Sequence, residues 1–254
     1  MLDAHVHLDQ YQNPSEIARA AGECGVLTIA VTNLPSHFMT GLSYVRSLPL
    51  VKLALGLHPL LATHHEHERR LFYDSLPLTS FIGEVGLDFS REGKSTRNAQ
   101  VESFRFVVKS ISVYNKVVSL HSRGAESAVL DILKEYRVRY AIFHWYTGPF
   151  SVLDEAVSDG HFFSVNPAMV RSERGKQIIA KIPPNRLLTE TDGPLVRINR
   201  MPAHPWDVAI VEKHLSQVWN VEPEEVRNRV WSNFQQILHG LNIQIEGREN
   251  GVLQ

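Results

Sequence analysis

The sequence predicts an α/β protein built as a (β/α)8 TIM barrel. Three observations carry that expectation. Eight short, apolar, β-rich runs recur along the chain. Helix-length amphipathic segments separate them. A histidine or a carboxylate closes six of the eight runs, at the strand ends where barrel enzymes build their active sites. The length, 254 residues, is usual for one such barrel. A doubly wound open sheet is the competing architecture. No Gly-x-Gly-x-x-Gly follows a strand and no Gly-x4-Gly-Lys-Ser/Thr occurs, so dinucleotide and P-loop readings lose support.

The strand candidates are residues 2–7, 27–33, 52–57, 80–85, 117–121, 140–144, 162–166 and 186–191. Most are nearly all apolar, as expected of parallel strands covered on both faces. Helical segments between them include 14–23, 98–115, 125–136, 150–158 and 172–181. Pro14 after Asn13 opens the first, and Gly25 closes it. Two further helices, near 206–219 and 223–241, follow the last strand. Glu222-Pro-Glu-Glu225 starts the second with acidic residues at the positive end of the helix dipole. No linker or composition break interrupts the units, so residues 1–242 read as a single barrel domain. Residues 243–254 read as a flexible polar tail, in which residues 245–248 (Ile-Glu-Gly-Arg) resemble a protease site.

An apolar content of 43% with 21% charged residues suits a globular chain with ample core. The lone Cys24 excludes an internal disulfide, fits a reducing compartment and is expected to be a small buried residue. No long apolar stretch and no leader pattern are present, so a cytoplasmic protein is expected. The net charge of −1 argues against a general nucleic-acid coat, although a local basic rim stays compatible with a phosphate substrate.

The chemistry begins at His5-Val-His7. Residues two apart in a strand share a face, so both imidazoles can grip one ion. With 13 His, chance alone supplies about 0.7 His-x-His pairs in this chain. A second pair, His65-Glu-His67, lies in the charged run 64–70, which reads as a solvated helix face. What separates the pairs is company. Strand three ends in Gly56-Leu-His-Pro59, strand four in Gly83-Glu-Val-Gly-Leu-Asp88 and strand five in His121-Ser-Arg123. Strand six ends in His144 and strand eight in Glu190-Thr-Asp-Gly-Pro194.

These blocks, with Asp3-Ala-His-Val-His-Leu-Asp9, Phe143-His-Trp-Tyr-Thr-Gly148 and Asn233-Phe234, resemble the TatD family of metal-dependent hydrolases, within the amidohydrolase-like barrels. The resemblance spans about residues 1–240. It implies His5, His7, Glu84, His121, His144 and Asp192 as ligands of two divalent metal ions, with Glu84 bridging them. It implies DNA as substrate and a deoxyribonuclease activity. The chain is also similar to the TatD-like nucleases of the Qat anti-phage defence system, which implies a defence role and protein partners there. Two blocks depart from the family. Trp145 and Tyr146 follow His144 where the family commonly has Cys and Phe, and Gly193 stands where it has Ala. Neither change removes a ligand; the first reshapes the substrate pocket.

Four imidazoles and two carboxylates suit Zn²⁺, Mn²⁺ or Fe²⁺ better than Ca²⁺, while Mg²⁺ prefers more oxygen. The metal stays open among zinc, manganese and magnesium. Asp192 is expected to bind metal and accept the proton of water. Arg123, always charged, is expected to fork onto phosphate. His58 is expected to contact phosphate or protonate the leaving oxygen. Asp9 and Asp88 are expected to cap a helix or to hold a ligating imidazole. A basic rim of Arg91, Lys94, Arg171, Arg174, Lys176, Arg197 and Arg200 would collect a polyanion, and Trp145, Tyr146 and Trp206 would stack bases. Two other functions stay open: hydrolysis of an amide or ester such as an aminoacyl-RNA bond, and a non-catalytic metal-binding subunit of a defence complex. No lysine closes a predicted strand where a carbamylated bridge would sit, which favours the nuclease reading over the first.

Overall fold

Strand and helix alternate around a closed parallel barrel, seen in a computed structural model that describes residues 1–245. The first half runs β1 (Leu2–Val6), α1 (Pro14–Glu23), β2 (Leu27–Ala30), α2 (Pro35–Val45), β3 (Val51–Leu53), β4 (Leu55–Leu57) and α3 (His65–Ser75). It continues through β5 (Phe81–Gly86), α4 (Arg97–Ile111), β6 (Val117–His121), α5 (Glu126–Glu135), β7 (Ile142–His144) and α6 (Phe150–Ser158). The last part holds β8 (Phe162–Val165), α7 (Pro167–Arg171), α8 (Glu173–Lys181) and β9 (Leu187–Thr189). A two-stranded hairpin follows, β10 (Arg197–Ile198) with β11 (Met201–Pro202), then α9 (Val208–Trp219) and α10 (Pro223–Gly240). Parallel pairing runs in chain order from β1 to β3 and from β4 to β9.

All eight expected strands are present, with one interruption. Strand three breaks at Ala54 into β3 and β4. At the break, Thr32 from the end of β2 reaches across to strand four. Its N–H donates to the Gly83 carbonyl and its own carbonyl accepts from Glu84 N–H, both at 3.0 Å. Gly56 makes room for this crossing, because a Cβ there would lie 1.5 Å from the Thr32 carbonyl oxygen. Periodicity cannot show such a break, since 52–57 is apolar throughout. Helix α2 is also faint in sequence. It has no Lys, Arg, Asp or Glu to mark a polar face, and its N-terminus is capped from elsewhere: Glu68 accepts from Ser36 N–H and Ser36 Oγ at 3.0 and 2.8 Å.

The barrel closes where the chain after β9 meets β1. His7 N–H donates to the Gly193 carbonyl at 2.8 Å, and Asp192 N–H to the His5 carbonyl at 2.9 Å. Asp3, fully buried, fastens the same seam by accepting from Thr191 N–H (2.9 Å), Thr191 Oγ1 (2.5 Å) and His5 N–H (3.2 Å). Three expectations need correction. Cys24 is exposed, because it caps the end of α1 on the solvent side. His65, the second residue of the charged run, is buried and bonded to Ser103 Oγ (2.6 Å) and the His58 carbonyl (2.9 Å). The barrel does not end at residue 242: Ile243 is 8% exposed and its N–H donates to the Leu238 carbonyl at 2.8 Å. Residues 246–254 of the expected tail, including most of the protease-like motif, lie outside the described residues. Among the described residues, no helix is long and apolar enough to cross a membrane.

His161 gives the fold a pH dependence. It is 1% exposed, and its Nδ1 accepts from Ala141 N–H at 3.2 Å, at the entry to β7. Burial lowers its pKa to about 4 from the ordinary 6.5. Between those values the unfolded chain binds a proton that the folded chain refuses, so stability falls as pH drops below 6.5 and rises with pH in that window. At pH 5 this one group costs about 2 kcal/mol relative to pH 7.5. Urea unfolding of His161→Asn, whose Oδ1 can still accept from Ala141, should show a shallower loss between pH 7.5 and 5 by about that amount. An unchanged difference would show that the site does not carry the effect.

Candidate metal centre

The strand ends converge on Glu84. It is 2% exposed and belongs to β5, the strand that Thr32 holds in place. Its Oε2 faces His7 Nε2 at 3.2 Å, His58 Nε2 at 3.4 Å and His5 Nε2 at 3.6 Å. Its Oε1 faces His121 Nδ1 at 2.6 Å and His144 Nε2 at 3.0 Å. Asp192, arriving from beyond β9, brings Oδ1 to 3.6 Å from His7 Nε2 and 3.8 Å from His5 Nε2. The structure therefore brings together all six residues expected as metal ligands: His5, His7, Glu84, His121, His144 and Asp192. It adds His58 to them.

The donor atoms fit metal ions. Three sets lie within ligating reach of one another: His5, His7 and Glu84; His5, His144 and Asp192; and His58, Glu84 and His121. Five buried atoms here have no hydrogen-bond partner: His5 Nε2, His7 Nδ1 and Nε2, His144 Nδ1 and Asp192 Oδ1. Each such orphan costs about 1–3 kcal/mol unless something else satisfies it, and an ion on the ring nitrogens is what this donor set accepts. The His5 and His144 rings stack at 3.8 Å, 7° from parallel, an arrangement unfavourable for two imidazolium ions. Burial, aided by His144, lowers the His5 pKa to about 4, which leaves a neutral imidazole ready to ligate. Burial acts against the Glu84 carboxylate, but His58, His144 and His121 outweigh it and hold the pKa well below the usual range. Burial pushes Asp192 up to about 7.

Neighbouring side chains aim these donors. His121 Nε2 is bonded to Asp88 Oδ2 at 2.8 Å, which turns Nδ1 toward Glu84. Asp88 thus holds the His121 imidazole in place. Asp9 lies close enough to His7 for each to favour the other's charged form. Its Oδ1 is buried without a partner, its Oδ2 lies 3.8 Å from His37, and Asn13 is the cap residue of α1. Ser119 Oγ holds His5 Nδ1 at 2.8 Å. Glu190, fully buried, lies 3.6 Å from His144 Nδ1 and accepts from Asn166 Nδ2 (3.0 Å), Trp145 N–H (3.1 Å) and Ser164 Oγ. Sequence reasoning assigned Ser119 and Glu190 no role. Each stands two residues before a proposed ligand, on the same strand face if the strand runs on, and that was the available signal.

Above the centre lies a cleft of about 510 Å³. Arg123, His58, Trp145, Gln10, Asn33 and Leu195 are among its walls. His58 Nδ1 accepts from Leu60 N–H at 3.2 Å, so the neutral ring carries its proton on Nε2, toward Glu84. Tyr146 does not line the cleft. It is 1% exposed, packed edge-on against Phe143 and Phe163, with its hydroxyl donated to the Pro149 carbonyl, so it cannot stack on a base. The expected basic rim is also reduced at the cleft. Arg174 donates to the Gly148 carbonyl at 2.7 Å and lies over Phe150, and Lys176 pairs with Glu173, whereas Arg197, 3.3 Å from the Arg200 carbonyl, stays exposed on the hairpin away from the cleft wall. Arg91, Lys94, Arg171 and Arg200 also lie outside the cleft wall. Trp206 stacks on His204 at 4.7 Å.

A parallel α/β barrel with imidazoles and carboxylates gathered at the C-terminal ends of its strands is the architecture of metal-dependent hydrolases. Within that class the chain belongs to the family of TatD related DNases, whose profile matches residues 2–239. Deoxyribonuclease TATDN3 of Homo sapiens is 26% identical over 246 residues, covering 89% of this chain and 90% of the human protein. The uncharacterized metal-dependent hydrolase MJ1582 of Methanocaldococcus jannaschii is 26% identical over 240 residues, 91% of this chain and 94% of that protein. The crystal structure of YJJV, a TatD homolog from Escherichia coli, superposes with a TM-score of 0.83 at 24% identity. It covers 93% of this chain and 97% of its own. That likeness concerns the fold.

Proposed function

We propose that this chain hydrolyses phosphodiester bonds in DNA, using two divalent ions held at the mouth of one barrel domain. The observation that carries the reading is the disposition of Glu84. Its two oxygens face two separate imidazole groups, His5 with His7 and His121 with His144, which suits a carboxylate bridging two ions. Asp192 would complete the set. When bound, such ions supply Lewis acidity toward the phosphoryl oxygen and a nucleophilic water near neutral pH.

The chain's own groups would do the rest. Asp192, whose burial raises the proton affinity of its carboxylate, would in its ionised form accept the proton of the attacking water. His58, with its proton on Nε2, donates to the leaving oxygen. Arg123, half-exposed at the cleft wall and 3.4 Å from Glu92, turns onto the phosphate as a fixed charge. Among the described residues lining the cleft there is no lysine, and Glu84 occupies the centre instead of a carbamylated bridge. This supports phosphodiester over amide hydrolysis. A cytoplasmic defence role alongside protein partners rests on the sequence resemblance alone.

The test is a substrate panel with metal control. The protein is stripped with chelator, reloaded with Zn²⁺, Mn²⁺ or Mg²⁺, and offered a DNA oligonucleotide, an RNA oligonucleotide and an aminoacyl ester. Cleavage of DNA that is lost on stripping and restored on reloading, with more than one ion per chain, is the expected outcome. Hydrolysis confined to the acyl ester would transfer the chain to amide or ester chemistry. Less than one ion per chain under replete conditions, without hydrolysis, would make it a binding subunit.

A further inference from the structure

The hairpin of β10 and β11 begins five residues after Asp192 and has no part in the chemistry described so far. Its base is fixed. Ala203 N–H donates to the Val196 carbonyl at 2.9 Å, the Ala203 carbonyl accepts from the Tyr11 hydroxyl, and Val196 N–H donates to the Asp192 carbonyl at 3.0 Å. Its turn is tight, with Asn199 and Arg200 both left-handed at φ 49° and 71°, as in the two-residue turn that matches strand twist. A rigid, short projection is thus mounted directly on the candidate centre.

Its surface is unlike that of a solvated loop. Leu195, 55% exposed, lies on the cleft wall immediately before the hairpin. Met201, 65% exposed, stands opposite Ile198 in the ladder, on one face of the ribbon. Arg197 and Arg200 flank these apolar groups and are themselves exposed. An exposed apolar side chain beside the turn, set between cationic side chains, is the chemistry that enters a base stack while its charges hold the backbone phosphates.

The cleft makes such a device useful. Glu84 and Asp192, each 2% exposed, form its floor. About 510 Å³ is the size of a pocket for a drug-sized ligand. A pocket of that size takes a nucleotide or two. Resting on the phosphodiesterase reading above, we infer that the hairpin is a wedge that splits the terminal base pairs of duplex DNA. Met201 unstacks the end, and Arg197 and Arg200 hold the strand that is led past Leu195 into the cleft.

The experiment compares wild type, Met201→Ser and Met201→Leu on three substrates: a small chromogenic phosphodiester, a single-stranded oligonucleotide, and a blunt duplex of the same sequence. Met201 lies outside the cleft wall and is exposed, so neither change disturbs the core or the centre. Met201→Ser should cut the duplex at least tenfold more slowly than wild type, while the single strand and the small diester stay within twofold. Met201→Leu, which keeps an exposed apolar side chain beside the turn, should restore the duplex rate. Equal rates for all three proteins on the duplex would overturn the wedge. So would a parallel loss on every substrate, or a wild type that cuts the single strand but never the duplex. A wild type that cleaves none of the three, the small diester included, would instead overturn the phosphodiesterase reading.

Discussion

Glu84→Gln should lower kcat/KM on DNA by at least about 10³-fold, a loss of roughly 4 kcal/mol in transition-state stabilisation. The change is nearly isosteric, so the fold should persist. What disappears is the charge, together with one of the two acceptor oxygens. In the native chain Oε2 faces His5, His7 and His58, and Oε1 faces His121 and His144. An amide presents one oxygen and one NH₂ group, so it can serve one imidazole group and must oppose an ion on the other side. Elemental analysis of the purified variant should accordingly show less metal per chain than wild type, with unchanged far-UV dichroism. A variant that keeps both its metal content and its rate would refute the bridging role of Glu84.

Gly56→Ala should be the most destabilising single-methyl change in the barrel. The added Cβ would sit 1.5 Å from the Thr32 carbonyl oxygen and 2.5 Å from its carbon, and backbone cannot rotate away as a side chain can. That same carbonyl accepts from Glu84 N–H at 3.0 Å, and Thr32 Oγ1 accepts from Gly56 N–H at 3.1 Å. Relieving the clash therefore displaces β4, the end of β2 and the residue at the middle of the metal centre together. The expected cost exceeds about 4 kcal/mol, which for a chain of this size lowers Tm by more than about 10 °C. Gly22→Ala in α1 is the matched control. Nothing lies within 4 Å of its added methyl, and alanine should raise stability by about 0.5–1 kcal/mol. Thermal unfolding of the two variants beside wild type decides the matter. A Gly56→Ala protein as stable as the control would show that the crossing at Thr32 yields easily.

The two expectations depend on different kinds of information, and only the first had a trace in the sequence. Glu84 ends an apolar run between two glycines, in line with histidines at the ends of other runs. Gly56 is legible as part of Gly56-Leu-His-Pro59, yet nothing local shows that Thr32 passes within contact of it. Arg174 and Tyr146 read as substrate groups because a strand-end position places them near the mouth. Packing turned both away, one onto Phe150 and the Gly148 carbonyl, the other into Phe143 and Phe163.

The amino-acid sequence alone determined the barrel and placed histidines and carboxylates at its strand ends, among which the family resemblance implied the six donors. Strand and helix periods are local, and a parallel barrel necessarily brings every strand's C-terminal end to one face. Tertiary structure alone decided which atoms those donors present. The partners that orient them, Ser119 of β6 for His5, Asp88 just after β5 for His121 and Glu190 just after β9 beside His144, lie 114, 33 and 46 residues away in the chain. It also decided which long cationic side chains reach the cleft. A flexible arginine takes its direction from whatever carbonyl, ring or carboxylate the fold places beside it, and no spacing along the chain encodes that neighbour.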